Sequence, residues 1–171
     1  MPLTCTDTAG LLPRGHYNAL RTLVHQLQKT AILWAVTGSC SLALQGVSVV
    51  VNDLDIRTTK AGAYAIEQLW LTEQLHPVTL TTLQQMHAYL GTFTLCGVTI
   101  EIVGDPQHRL DGDNWDAVSD ICADTRWVVL DTLSVPVLSL AFLHQSYQKL
   151  GRSDKVSLIE PWLEQQSIGG T

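Results

Sequence analysis

Two short segments constrain this chain more than any others: Asp53-Leu54-Asp55-Ile56-Arg57-Thr58 and Val98-Thr99-Ile100-Glu101-Ile102-Val103. Both alternate polar and apolar residues, and in a strand residues two apart project to the same face. Asp53, Asp55 and Arg57 therefore share one face, with Leu54 and Ile56 on the other. Thr99, Glu101 and Val103 likewise oppose Val98, Ile100 and Ile102. If the two strands are neighbours, their apolar faces enter one core and three carboxylates converge on the opposite side.

The rest of the chain alternates helical and extended patterns. Pro13 opens a helical run in which Tyr17, Leu20, Val24 and Leu27 recur at three- and four-residue steps. Ala31 to Val36 is an apolar run of strand length. A short helix follows, with Ser39 as its expected N-cap and Gly46 as its stop. Lys60 to about Leu75 reads as a helix, with Pro77 beyond it and a short strand at Val78–Leu80. Gly91–Leu95 and Val98–Val103 form a hairpin turning at Cys96-Gly97. Residues 105–124 are acidic and turn-rich and read as a long surface loop, followed by a strand at Arg126–Leu130. Two helices end the chain. The first carries Leu140, Leu143, Tyr147 and Leu150 and stops at Gly151. The second starts near Ser153 and buries Leu158, Ile159, Trp162 and Leu163. This order predicts an α/β (α+β) domain with a mixed sheet and helices packed on it. One domain spans 1–171, with a core at about 13–131 and C-terminal helices at about 137–166.

Composition narrows the function classes. At 171 residues and 46% hydrophobic, the chain is long and apolar enough for a core without metal or disulfide staples. The net charge is −6 and the ten Lys and Arg are scattered, which argues against a nucleic-acid partner. Cys5, Cys40, Cys96 and Cys122 lie far apart and read as reduced thiols. No signal-like segment or bilayer-length apolar run is present. A cytoplasmic protein without a membrane partner is the expectation; the oligomeric state is left open.

The chemistry is carried by the three carboxylates and by Gly38-Ser39. Converging carboxylates raise one another's pKa unless a cation is present. Hard oxygen ligands suit Mg²⁺, which takes one or two carboxylates together with waters and substrate phosphates. Two such ions about 3.5–4 Å apart clamp an in-line phosphoryl displacement. Gly38 permits close backbone approach, Ser39 adds a hydroxyl, and the helix that follows offers free N–H groups to an anion.

A Gly-Ser pair after a strand, a short helix, Asp-x-Asp on the next strand and a third carboxylate later resemble the nucleotidyltransferase superfamily, with its DNA-polymerase-beta-like fold. Residues 37–46 (TGSCSLALQG), 52–56 (NDLDI), 62–67 (GAYAIE), 97–105 (GVTIEIVGD) and 135–155 extend the likeness over most of the chain, to small bacterial nucleotidyltransferases of uncharacterised acceptor. The resemblance implies that Asp53 and Asp55 bind one or two Mg²⁺ ions and that Glu101 completes the set. It makes Glu101 the base for an acceptor hydroxyl, and Gly38 and Ser39 the grip on the phosphates. Many members carry Asp where this chain has Glu101, a reach longer by one methylene. The implied reaction moves a nucleoside monophosphate from an NTP, such as ATP, to a small-molecule or protein acceptor.

Each feature also has a plainer reading. An isolated Asp-x-Asp is commonly a solvated strand end; Gly38-Ser39 upstream and Glu101 in a matching strand favour a metal–nucleotide site. Arg57 contacts either a phosphate or a neighbouring carboxylate. Gln145, Lys149 and Arg152 share a helix face, either solvated or, through Lys149, phosphate-binding. Asp111–Asp116 fails the EF-hand pattern because Trp115 and Asp116 stand at its fifth and sixth positions. The six histidines show no ligand spacing, and Cys40 reads as a packed thiol. Trp34, Trp70 and Trp162 fit core stripes, while Trp115 or Trp127 is left for an acceptor cleft. The alternatives to an enzyme are a non-catalytic nucleotide-binding or toxin–antitoxin partner of the same fold, and a structural protein with an acidic edge.

Overall fold

The computed structural model describes residues 10–169; Cys5 lies outside them. Helix α1 spans Arg14–Leu27, strand β1 Trp34–Thr37, helix α2 Gly38–Leu44, strand β2 Leu54–Thr58 and helix α3 Lys60–Leu69. Strands β3 (Gln74–Thr82), β4 (Met86–Leu95) and β5 (Val98–His108) follow. A short helix α4 (Ile121–Asp124) leads into β6 (Thr125–Leu130) and β7 (Leu133–Leu138), and helices α5 (Leu140–Lys149) and α6 (Ser153–Ile168) complete the order.

All seven strands join one mixed sheet in the order β3-β4-β5-β2-β1-β7-β6. β2 runs parallel to β5 and β1 parallel to β7, while the other pairs are antiparallel. The two alternating segments are indeed adjacent: Leu54 faces Ile100, Asp55 faces Glu101 and Ile56 faces Ile102. Those four apolar side chains are at most 1% exposed and sit in the larger core cluster with Leu20, Leu23 and Ile66. Truncating one of them to Ala would cost about 2–5 kcal/mol. Ala35 and Val36, successive on β1, feed two different clusters. The second cluster holds Leu138, Leu140, Leu143 and Ile159 and seats α5 and α6 against the sheet.

Local chemistry explains several differences from the sequence reading. Ser39 is inside α2; the N-cap is Thr37, which makes no side-chain cap bond. Gly38 has φ +65, so the chain turns at Gly38 itself and enters the helix two residues earlier than a serine cap implies. Gly46, at φ +92, does end that helix. The helix expected to reach Leu75 stops at Leu69, because Trp70 turns inward to stack on Phe93 at 4.9 Å. Gln74 then starts β3, an edge strand where Pro77 leaves no interior ladder bond unmade. The hairpin at Cys96-Gly97 is present; both residues have positive φ (51 and 76), as a two-residue type I′ turn requires.

Strand β7 has no counterpart in the sequence reading, which started the C-terminal helices at 137. Pro136 disguises it, since proline removes a ladder donor. β7 accommodates Pro136 because its ladder with β1 is registered at a single pair, Val36↔Val137. The acidic stretch is also less of a loop than expected. β5 continues to His108, Arg109 bridges Trp115, and α4 closes the segment. Leu158, expected to be buried, is 41% exposed.

Candidate active site

The carboxylates lie where strands β1, β2 and β5 run side by side. Asp55 is flanked by Thr37 on β1 and by Glu101 on β5. Asp53 occupies the bend one residue before β2 and is exposed. All three line a cavity of about 420 Å³, with Gly38 and Ser39 on one side and Phe142 and Tyr147 of α5 on another. Helix α2, which starts at Gly38, is tied down from the far side: Ser41 Oγ and Gln45 Nε2 donate to the Leu138 carbonyl at 3.0 and 2.9 Å.

The electrostatics follow from crowding like charges in a partly dry place. Burial first, then Glu101 and Asp53, pushes the Asp55 carboxyl up to about 7. Burial and Asp53 raise Glu101 as well. None of the three is ion-paired to a described Lys, Arg or His. The Tyr147 hydroxyl is pushed up to about 12 by burial and then by Asp55. Cys40 likewise stands at about 12, through burial and Asp55, so it is an inert packed thiol. Uncompensated, mutually repelling carboxylates are the donor set a divalent cation would relieve. Among the described residues no three or more His, Cys, Asp or Glu are drawn together tightly enough to hold an ion unaided. Mg²⁺ does not need such a cage, because waters and substrate phosphates fill most of its shell.

Arg57 is buried at 3% exposure and lines the cavity. Its guanidinium donates to Ser119 O and Oγ, both at 3.3 Å, and lies 6.0 Å from the Phe142 ring; its Nε has no partner. Lys149 is not part of the cavity wall: its Nζ donates to Asp116 Oδ2 at 2.8 Å. Arg152 and Lys155, at the start of α6, are the basic side chains that join Arg57 there. Neither Trp115 nor Trp127 lines the cavity. Trp115 stacks on His87 at 4.0 Å with Arg109 above it at 4.4 Å, and Trp127 borders a separate cavity with Leu27 and Pro136.

Sequence reasoning missed three residues of the site. His108 is 6% exposed and reaches the cavity wall, with Asp116 on one ring nitrogen and Ser146 on the other. Ser146 lines the cavity, and Asp116, read as part of a solvated loop, is largely enclosed. The one available signal was a lone histidine at the end of an alternating strand, and spacing alone does not give it a partner eight or 38 residues away.

A family model described as aminoglycoside-2''-adenylyltransferase matches residues 19–158. Among solved structures, a Thermotoga maritima protein provisionally assigned as a nucleotidyltransferase is 35% identical, with a TM-score of 0.78 over 90% of this chain and 96% of that one. The lincosamide antibiotic adenylyltransferase LnuA, in its lincomycin-bound form, shares the fold at 7% identity, with a TM-score of 0.55 over 87% and 96% of the two chains. ANT(2'')-Ia in complex with adenylyl-2''-tobramycin is 10% identical, with a TM-score of 0.50 over 90% of each chain. No curated protein sequence matches.

Proposed function

The chain belongs to the aminoglycoside-2''-adenylyltransferase family, and on that premise we propose that it moves a nucleoside monophosphate from an NTP to a hydroxyl of a small-molecule acceptor, with Mg²⁺ held at Asp53, Asp55 and Glu101. Nucleotidyl transfer is the activity the family shares; the metal, the site residues and the acceptor class are our reading. The observation that carries it is the pairing of Asp55 with Glu101 across parallel strands, with Gly38 packed against Asp55, in one cavity.

Each residue has a task in this scheme. Gly38 and Ser39 lie against the phosphates at the start of α2. Arg57, Arg152 and Lys155 supply the positive charge that a triphosphate needs and that an acidic chain otherwise lacks. Mg²⁺, when bound, neutralises phosphate charge and aligns the displacement. Glu101, whose carboxyl is made more basic by burial and then by Asp53, takes the proton of the incoming hydroxyl. Catalysis is then mostly positioning and charge neutralisation.

The small-molecule acceptor is favoured over a protein by the cavity itself, a concave space of about 420 Å³ and not a flat docking face. LnuA with lincomycin and ANT(2'')-Ia with adenylyl-2''-tobramycin make hydroxyl-rich antibiotics the first acceptors to try. The test is a panel of such compounds with α-labelled NTPs, reading pyrophosphate release and label on the acceptor. Transfer should need Mg²⁺ and fail in Asp53→Asn and Asp55→Asn; transfer that survives both changes would remove the carboxylates from the mechanism.

A further inference from the structure

Strand β5 changes face partway along its length. Glu101 and Val103 line the cavity, as two-residue alternation requires. The same alternation would turn His108 away, since it lies an odd number of residues from Glu101, yet Pro106 and His108 line that cavity too. The switch is a bulge. Tyr89 pairs with Gly104 and His87 with Gln107, so β5 holds one more residue than β4 over the same interval. Asp105, at φ +41, carries the irregularity, and its carboxylate accepts the Lys60 N–H at 2.8 Å at the start of α3. A non-glycine residue in the left-handed region is strained, and here that strain accompanies the turning of Pro106 and the His108 imidazole to the cavity.

That imidazole is held at both nitrogens. Nδ1 lies 3.2 Å from Asp116 Oδ2 and Nε2 3.1 Å from Ser146 Oγ. Asp116 is fixed in turn: its Oδ1 accepts the His108 backbone N–H at 2.7 Å and its Oδ2 accepts from Lys149 Nζ at 2.8 Å. Burial alone would raise the Asp116 carboxyl, but the Lys149 and His108 bonds outweigh it and keep it below the usual carboxylate value. An ionised carboxylate only accepts, so Nδ1 carries the ring proton and Nε2 presents its lone pair to the Ser146 hydroxyl. Burial lowers the His108 pKa despite the pull of Asp116, which leaves the ring neutral and able to take a proton. A hydroxyl, an imidazole and a carboxylate in this order activate nucleophiles on unrelated folds. Here the hydroxyl opens onto the same cavity as Asp55 and Glu101.

We propose that Ser146 is an internal acceptor and that the protein nucleotidylylates itself at this residue; the proposal rests on the nucleotidyltransferase reading above. Ser146 Oγ attacks the α-phosphorus of the NTP. The Oγ–P bond forms as the bond from that phosphorus to the bridging oxygen breaks, and pyrophosphate leaves with the electron pair. The serine proton passes to His108 Nε2, and Asp116 balances the imidazolium. The modified serine then occupies the cavity from the α5 wall, so the reaction restrains turnover when acceptor is scarce.

The test incubates the full chain with each Mg²⁺–NTP and no acceptor, then reads intact mass and maps the modified peptide. The expected result is one added nucleoside monophosphate at Ser146, absent in Ser146→Ala. Asp116→Asn, which places the ring proton on Nε2, should slow the reaction more than about tenfold, and Asp116→Glu should recover part of that loss. A fluorophosphonate, which labels activated serines without metal or nucleotide, should modify Ser146 in both the wild type and Asp55→Asn. Fluorophosphonate labelling with NTP bound but no mass gained would overturn self-transfer and leave the nucleotidyltransferase reading standing. Absence of NTP binding would overturn both. A Ser146 inert to either reagent would remove the activated nucleophile.

Discussion

The carboxylate of Asp55 fills the space that a side chain on Gly38 would need: a Cβ there would lie 3.2 Å from Asp55 Cγ and closer still to Oδ2. Gly38 also has φ +65, a conformation L-residues adopt at a cost. The glycine of the Gly-Ser pair is thus fixed by two demands at once, the turn into α2 and the seat of the central carboxylate. Gly38→Ala should lower stability by about 1–3 kcal/mol and displace Asp55. Chemical denaturation together with calorimetric titration of Mg²⁺–NTP checks this. A variant that binds like the wild type would mean Asp55 tolerates displacement.

Asp55 makes metal-free stability fall with rising pH. Its pKa is raised from 3.8 unfolded to about 7 folded, chiefly by burial and then by Glu101 and Asp53. Between those values the folded state binds more protons than the unfolded one, so stability drops as pH rises through this window and levels off above about 7. Mg²⁺ should reverse the trend, with its stabilising effect growing over the same window. Thermal midpoints in chelator and in Mg²⁺, for wild type and Asp55→Asn, read both slopes; the variant should lose most of the first.

Much of this arrangement is legible in the sequence, for a physical reason. Two-residue alternation assigns faces locally, so Asp55 and Glu101 declare their side of the sheet before any pairing is known. Their adjacency needed the fold, but two isoleucine-lined strands have few other ways to bury both apolar faces. What stayed hidden depends on departures from periodicity or on distant partners. The bulge at Asp105 reverses the face of His108, Pro136 masks β7, and α5 alone brings Lys149 to Asp116 and Ser146 to His108.

The basic residues of the C-terminal helices divide their labour. Lys149 holds Asp116 away from the cavity, whereas Lys155 and Arg152, the latter also paired with Asp154 at 3.2 Å, line it. Arg152→Ala and Lys155→Ala should each weaken Mg²⁺–NTP binding by about 1–2 kcal/mol, roughly tenfold. Lys149→Ala should leave that affinity nearly unchanged. Titration of the three variants decides the assignment; the reverse order would put Lys149 on the phosphates.

The hairpin between β4 and β5 offers a stability gain away from the site. Cys96 stands at φ 51 in a turn that favours Asn-Gly. Cys96→Asn should stabilise the protein by about 0.5–1 kcal/mol and remove an exposed thiol. A denaturation midpoint that falls instead would contradict the turn assignment.

In the proposed mechanism Asp53, Asp55 and Glu101 hold the metal that brings the nucleotide. Calorimetric titration of a non-hydrolysable NTP analogue into wild type and Asp55→Asn, with Mg²⁺ and with chelator, tests it most directly. Binding by the wild type should require Mg²⁺, and Asp55→Asn, though folded, should lose it. Equal, metal-dependent binding by both proteins would contradict it.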